Sequence, residues 1–217
     1  EGEVEVDLEA ALGIAFGLLH EKLPVKGVLE SGASVPSPNV SPAHRKAFDQ
    51  LVEFLRARLT HVLGERGFAY DEVAAAMGAD SDSPLAFRAI AARTAALRGA
   101  RQEPDFAVVA QAAKRIANIT KGSEAFTFTE AFCTLEAERA LRQAAVTLHD
   151  EILAARASLD FAAGLHSVRK LASPLEVFFK DVMVMDPDER LKQNRIALLQ
   201  SIQSEIRWLA DLSQIVV

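Results

Sequence analysis

Four polar side chains on one predicted helix have the types and the spacing to bind a polyanion. A helix beginning at Pro104 places Lys114, Asn118 and Lys121 at i, i+4 and i+7, opposite an apolar side, with Arg115 at the edge of the row. Clustered cations displace counterions from phosphates, and an amide can hydrogen-bond to sugars or base edges. An ordinary solvated helical face gives the same pattern, so the row is a candidate RNA surface.

The distribution of charge supports this candidate, because the net charge of the chain is −6. An RNA contact must therefore come from a local basic patch in an acidic molecule. The segment 84–121 contains only two acidic residues, Glu103 and Asp105. Its basic residues are Arg88, Arg93, Arg98, Arg101, Lys114, Arg115 and Lys121. We take Arg88 and Arg93 as a secondary group of candidate RNA contacts.

A second polar pair, Asn194-Arg195, interrupts the apolar stripe of the last predicted helix. An unpaired buried charge costs several kcal/mol, so Arg195 needs a partner. One interpretation is structural, with Arg195 joining a carboxylate such as Asp181 or a helix C-terminus. The other is contact with an RNA phosphate, which suits the forked guanidinium.

The elements that position these residues are all predicted to be helices. Apolar residues in 7–23 fall on one helical stripe, whereas 26–42 is rich in Pro, Gly and Ser and reads as a linker or surface loop. The segment 126–132 alternates like a strand but has no partner strand, so we expect a loop. The further predicted helices begin at Ser41-Pro42, Tyr70, Ser83-Pro84, Pro104, Leu135, Ser158, Ser173-Pro174 and Asp186, the last running to near Ile215.

Local patterns in the last third of the chain have structural interpretations. Asp186 is expected to cap the last helix, with Pro187 in the first position and Glu189 as the capping-box acid. The apolar residues of 178–185, including both methionines, are expected in the core. The dipeptide His149-Asp150 resembles that of HD phosphohydrolases, but the other histidines lack the matching spacing. We therefore predict no catalytic residue and no metal ligand.

Composition sets the remaining bounds. The chain has 217 residues, half of them hydrophobic, and no apolar run near the roughly 20 residues that span a bilayer. A lone Cys133 excludes an internal disulfide and fits a reducing, cytoplasmic setting. The chain opens with Glu1-Gly2-Glu3, and from this we expect no secretory precursor and an excised piece of a longer protein.

Three sequence blocks resemble the C-terminal end of the bacterial glycyl-tRNA synthetase beta subunit. The first is Lys-Arg-Ile-Ala-Asn-Ile at 114–119, the second is Val-Phe-Phe-Lys-Asp-Val-Met-Val-Met at 177–185, and the third is Ala-Asp-Leu-Ser at 210–213. Asn194-Arg195 also matches an Asn-Arg pair of the family. Lys180-Asp181 departs from it slightly, because the family pair more often begins with an acid.

The resemblance implies an all-α helical bundle of the DALR anticodon-binding type with an extra N-terminal helix. It implies a helical stub of the preceding beta-subunit region at 1–25, then the linker, then the DALR-type domain at 43–217 with its core at about 104–217. The implied function is recognition of the anticodon arm of glycine tRNA. Glycylation with ATP and magnesium would take place in the alpha subunit, and this piece would hold no cofactor. Implied partners are glycine tRNA, the alpha subunit and the rest of the beta subunit, with no membrane and no DNA.

Three alternatives remain open at this stage. An arginyl-tRNA synthetase shares the DALR fold, although the Val-Met-Val-Met block and the Ala-Asp-Leu-Ser ending favour the glycyl beta subunit. A helical scaffold with a protein partner and no RNA role would fit if the basic row were buried or neutralised by acids. An HD-type hydrolase would require a metal at His149-Asp150.

Overall fold

The computed structural model describes residues 42–80 and 86–217, and these residues form helices joined by short connections. No strand occurs within the described ranges, which confirms the predicted all-α class. None of the helices there is long and apolar enough to cross a membrane. The α-helices are α1 Pro42–Glu65, α2 Tyr70–Met77, α3 Phe87–Ala100, α4 Pro104–Thr120, α5 Glu136–Ser158, α6 Phe161–Arg169, α7 Ala172–Asp181 and α8 Glu189–Leu209. Two 3₁₀ turns lie at Glu130–Phe132 and Leu212–Gln214.

Most helix starts agree with the sequence signals. Pro42 and Pro104 each open a helix, where a missing N–H costs nothing, and α2 ends at Gly78 as predicted. The segment 126–132 is a loop that closes with a 3₁₀ turn, as expected. The predicted helix at 7–23, the linker at 26–42 except Pro42, and the start at Ser83-Pro84 lie outside the described residues.

The core lies among helices α4 to α8, where α4 packs against α6, α7 and α8, and α5 packs against the same three helices. The buried face of α4 includes Phe106, Val109 and Ile116, and α8 contributes Leu199 and Ile202. These residues recur every three or four positions, which directs one stripe of each helix inward. The opposite stripe of α4 is thereby left in solvent.

Amide side chains of α8 form hydrogen bonds with the connection after α4. Asn194 Oδ1 accepts a hydrogen bond from the Thr129 N–H at 2.7 Å, and Gln200 Oε1 accepts one from the Phe126 N–H at 3.2 Å. Gln200 also donates to the Glu124 carbonyl oxygen at 2.7 Å. This loop has no regular backbone hydrogen bonding of its own, so side chains of the neighbouring helix form hydrogen bonds with its backbone groups.

The chain breaks between α5 and α6 at a residue in the left-handed region. Leu159 has φ of 53° and ψ of 32°, and Asp160 then caps α6 by accepting a hydrogen bond from the Ala163 N–H at 2.9 Å. The predicted start at Ser158 was therefore three residues early. Ser158 instead completes α5, and its hydroxyl donates to the carbonyl oxygen of Ala154 at 3.2 Å.

The methionine block differs from the expectation that all its apolar residues lie in the core. Helix α7 ends at Asp181 and Val182 is extended, and from there buried and exposed side chains alternate. Val182 and Val184 are buried, but Met183 and Met185 are each 59% exposed. The core prediction is wrong for both methionines, because the helical period was applied beyond the end of the helix.

The start and end of α8 also differ from the prediction. Asp188, two residues after the predicted cap, caps the helix by accepting a hydrogen bond from the Arg190 N–H at 2.9 Å. Asp186 instead accepts from the Asp188 N–H. At the other end α8 stops at Leu209, and Ala210 is extended. The predicted run to Ile215 is interrupted because the Asp211 N–H donates to the Ala75 carbonyl oxygen in α2 at 2.9 Å.

A buried carboxylate joins the α2–α3 pair to the end of the chain. Asp71 accepts hydrogen bonds from Arg101 Nη1 at 2.8 Å and from the Val216 N–H at 2.9 Å. Arg101 Nη2 donates to the Val216 carbonyl oxygen at 2.8 Å, which closes the cluster. Burial alone would raise the pKa of the Asp71 carboxyl, but the hydrogen bonds from Arg101 and Val216 together hold the pKa below its usual value.

This lowered pKa predicts a specific loss of stability in acid. A carboxyl whose pKa is lower in the folded protein stabilises it above the unfolded value of about 3.8, and this contribution disappears as the pH falls through the folded pKa. Asp71→Asn should therefore lower stability at pH 7 and flatten its dependence on pH between about 5 and 2. Urea unfolding followed by circular dichroism at several pH values measures this. Asp150→Asn, on an exposed carboxylate, is the control, and an unchanged pH dependence in Asp71→Asn would contradict the prediction.

Candidate nucleic-acid interface

Helix α4 brings the main predicted site residues together on its solvent side. Lys114, Arg115 and Asn118 are all exposed, and Lys121 is the exposed C-cap residue. At 1.5 Å per residue, the row from 114 to 121 is about 10 Å long. We call these four residues the α4 row. Its shared face follows from the burial of the opposite stripe in the core.

The α4 row is not neutralised by acids within the described residues. The side chains of Lys114 and Lys121 make no ion pair or hydrogen bond there. Several other arginines are paired with carboxylates, as in Arg169–Asp105 at 2.6 Å and Arg207–Asp80 at 2.8 Å. The row therefore combines exposed cations with an exposed amide, a set suited to phosphate and sugar groups.

Arg115 differs from the lysines because it lies on an aromatic ring. Its guanidinium carbon is 4.2 Å from the ring centroid of Phe179 in α7. The ring of Phe179 in turn meets that of the buried Phe178 at 5.6 Å with an interplanar angle of 72°. Sequence reasoning missed this pair, because no local signal connects position 115 with position 179.

The secondary group is not brought together with the α4 row. Arg88 is exposed on α3, whereas Arg93, on the same helix, is only 4% exposed. The guanidinium carbon of Arg93 lies 4.6 Å from the ring centroid of Phe161. Its burial argues against the predicted RNA contact, so Arg93 is not part of the candidate site. Its α3 position faces α6, and the charge pattern alone could not show this.

Arg93 has an unusual environment for a cation. Its Nε and Nη1 atoms are buried and have no hydrogen-bond partner among the residues that the structure describes. Burial lowers the pKa of Arg93 below its usual value. The ring of Phe161 supplies a cation–π contact, and Trp208 lies beside that ring at 5.3 Å. The position is therefore held by packing without a compensating carboxylate.

The structure resolves the two interpretations of Arg195 in favour of the structural one. Arg195 is 4% exposed, and its Nε donates to Glu138 Oε1 at 2.5 Å. Its Nη1 donates to Asp186 Oδ2 at 2.6 Å and to the Met183 carbonyl oxygen at 3.0 Å. The suggested partner Asp181 is wrong, because it is exposed at the end of α7 and the guanidinium is bound by Glu138 and Asp186 instead. Asn194 is likewise occupied by the Thr129 N–H.

The carboxylates around Arg195 are themselves anchored. Glu138 Oε2 accepts hydrogen bonds from the Leu135 N–H at 2.8 Å and the Thr134 hydroxyl at 3.4 Å, so one carboxylate both caps α5 and binds Arg195. The hydrogen bond from the Asp188 N–H, followed by that from Arg195, lowers the pKa of the Asp186 carboxyl. A glutamate three residues into a helix was a visible capping signal, but its link to Arg195 was not.

Part of this helical framework matches a known domain family. Residues 109–213 match the model of the DALR anticodon binding domain. The matched region contains the whole α4 row as well as Asn194 and Arg195.

The chain as a whole is similar to glycine–tRNA ligase beta subunits. It is 38% identical over 170 residues to that of Desulforapulum autotrophicum, which covers 76% of this chain and 24% of the relative. It is 33% identical over 210 residues to that of Janthinobacterium sp. (strain Marseille), covering 94% of this chain and 29% of the relative. The resemblance stated from the sequence is confirmed, and the arginyl alternative is not favoured. The chain spans less than a third of the length of these relatives.

No metal site accompanies the DALR domain in the described part of the chain. His149 Nδ1 lies 2.8 Å from Glu205 Oε1, and no group of three potential ligands in the described ranges could hold an ion. In the loop after α4, Phe126 and Phe128 are partly buried and pack against the core. Among the residues described, the aromatic ring in cation–π contact with the row is that of Phe179.

The Arg195 cluster predicts a large effect on stability from one substitution. Arg195→Met would leave Glu138 buried without its cation, which costs about 3–5 kcal/mol when one partner of a buried pair is removed. The free energy of unfolding, measured with urea, should fall by this amount. Arg190→Met, on an exposed arginine of the same helix, should change it by less than about 0.5 kcal/mol. A loss below about 1 kcal/mol in Arg195→Met would show that the cluster is unimportant.

Substitution of Arg93 should change the free energy of unfolding in the opposite direction. Arg93→Met removes two buried nitrogen atoms without hydrogen-bond partners in the described residues, each costing about 1–3 kcal/mol, and loses a cation–π contact of about 1–2 kcal/mol. We expect the free energy of unfolding to rise by about 1 kcal/mol. Urea unfolding checks the sign, with Arg88→Met on the exposed side of α3 as the control. Clear destabilisation by Arg93→Met would mean that the guanidinium is needed for packing.

Proposed function

We propose that this chain is the tRNA-recognition module of a glycine–tRNA ligase beta subunit and that it binds the anticodon arm through the α4 row. The observation that carries the proposal is the position of an exposed row, free of acidic partners, inside a region that matches the DALR anticodon binding domain. Anticodon binding is the role from which that domain family takes its name.

Electrostatics explains how an acidic molecule can select one docking face. With a net charge of −6, the long-range field of the chain repels an RNA backbone. Lys114 and Lys121 supply local attraction without competing carboxylates, so the phosphates are drawn to that face. Asn118 lies between them and can hydrogen-bond to sugar or base edges of an unpaired loop.

The rest of the proposal follows from the parent family. Glycylation of tRNA with ATP and magnesium would take place in the alpha subunit, and this chain would hold the distant arm so that the acceptor end reaches the active site. The partners would be glycine tRNA, the alpha subunit and the remaining beta-subunit regions, in the cytoplasm. The competing proposal is a helical scaffold that binds only protein.

The test measures the affinity of this chain for fluorescent glycine-tRNA anticodon stem-loops by anisotropy at several salt concentrations. Lys114→Glu with Lys121→Glu should weaken binding at least about tenfold and lower the salt slope by about 2, or about 1 per phosphate contact. The matched control is Arg58→Glu with Arg66→Glu, which makes the same charge change on an exposed residue of α1 and on the exposed residue that directly follows this helix.

The outcomes separate the proposals. Equal weakening by both double variants would mean that only net charge matters and would remove the α4 row as the site. Equal affinity for glycine and anticodon-swapped stem-loops would remove the anticodon function. No binding to either RNA by the unaltered chain would favour the protein scaffold.

A further inference from the structure

Among the arginines that lie on aromatic rings, one has the environment of a ligand contact. In the described part of the chain there are five such pairs. Arg93 is buried, and three others also approach a carboxylate: Arg98 with Glu72, Arg142 with Glu130, and Arg156 with Glu205. Arg115 on Phe179 is the exposed pair with no acid beside it in those ranges.

The structure holds the Arg115 guanidinium in place by packing it on a supported ring. Phe179 is half-buried, and its ring lies edge-on to Phe178, a fully buried residue of the core. The support therefore comes from two helices, because Arg115 belongs to α4 and both rings belong to α7. The ring already restricts the conformations of the long Arg115 side chain. Less conformational entropy is therefore lost when a ligand binds to it.

A planar cation with one face covered by a ring can accept a flat group on its other face. Unpaired RNA bases stack on guanidinium planes as they do on aromatic side chains. A carboxylate partner would hold the guanidinium by its edge, but no such partner is present among the described residues. Asn118, three residues further along α4, lies on the same side and can reach the edge of a base.

We propose that Arg115, supported by Phe179, is a stacking platform for one unpaired base of the RNA loop that docks on the α4 row. This inference rests on the proposed function and assigns Arg115 a role distinct from that of the lysines. Lys114 and Lys121 attract phosphates whatever the sequence, whereas Arg115 contacts the face of a base.

The experiment is a double-mutant cycle between protein and RNA, with the 217-residue chain. Arg115→Lys keeps the charge and removes the plane. It is assayed on the glycine-tRNA anticodon stem-loop and on versions with one abasic nucleotide at each loop position in turn. Arg115→Lys should weaken binding to the complete loop about tenfold, within the range measured for base–aromatic stacking. On one abasic loop the variant and the unaltered chain should bind within about twofold of each other.

Two controls connect the loss to stacking. Arg142→Lys alters another arginine on a ring, one engaged by Glu130, and should bind the complete loop like the unaltered chain. Phe179→Leu should reproduce the Arg115→Lys pattern, and its helical signal by circular dichroism shows whether the variant is folded. The salt slope of Arg115→Lys should stay unchanged because the charge is retained.

The results distinguish a failure of the platform from a failure of the proposed function. An equal loss for Arg115→Lys on every abasic loop, or no loss on the complete loop, refutes the platform. If charge reversal at Lys114 and Lys121 still weakens binding, the RNA function stands without it. If neither change affects binding, both proposals fail.

Discussion

The fold of the DALR region depends on how it accommodates one buried guanidinium. Arg195 lies in the apolar stripe of α8, and its charge is met by Glu138 from α5 and Asp186 from the connection before α8. Because an unmatched charge there would be costly, the observed arrangement of the three segments is favoured over those that separate them. That arrangement sets α8 against α5 and holds the 182–186 connection, on which the relative position of α7 depends.

The position of α7 has a direct consequence for the candidate site. Helix α7 carries Phe179 to Arg115 of α4, so the packing that satisfies Arg195 also determines the surroundings of the α4 row. Several other arginines of the described residues pair with carboxylates, as in Arg169–Asp105 and Arg207–Asp80. The cations of the row escape this pairing, and an acidic chain thus presents a local positive face.

The segments before the matched region are joined to it by polar contacts. Asp71 and Arg101 hold Val216, and Asp80 pairs with Arg207 of α8. These contacts involve residues far apart in sequence, and no periodicity signals them. They show α2 and α3 packed on the domain, while its predicted boundaries at 43 and 104 remain a prediction.

Local sequence determined the helical class, the starts at Pro42 and Pro104, and the α4 row, because caps, proline and a 3.6-residue period act within a few turns. It also identified the family, through short blocks at 114–119 and 177–185. Tertiary structure alone decided which polar residues stay in solvent. Arg93 and Arg195 are buried while Lys114 remains exposed, although all three are cations on helices. Whether each side chain is buried depends on which face of its helix packs against another helix. Contacts between residues far apart in sequence determine that packing.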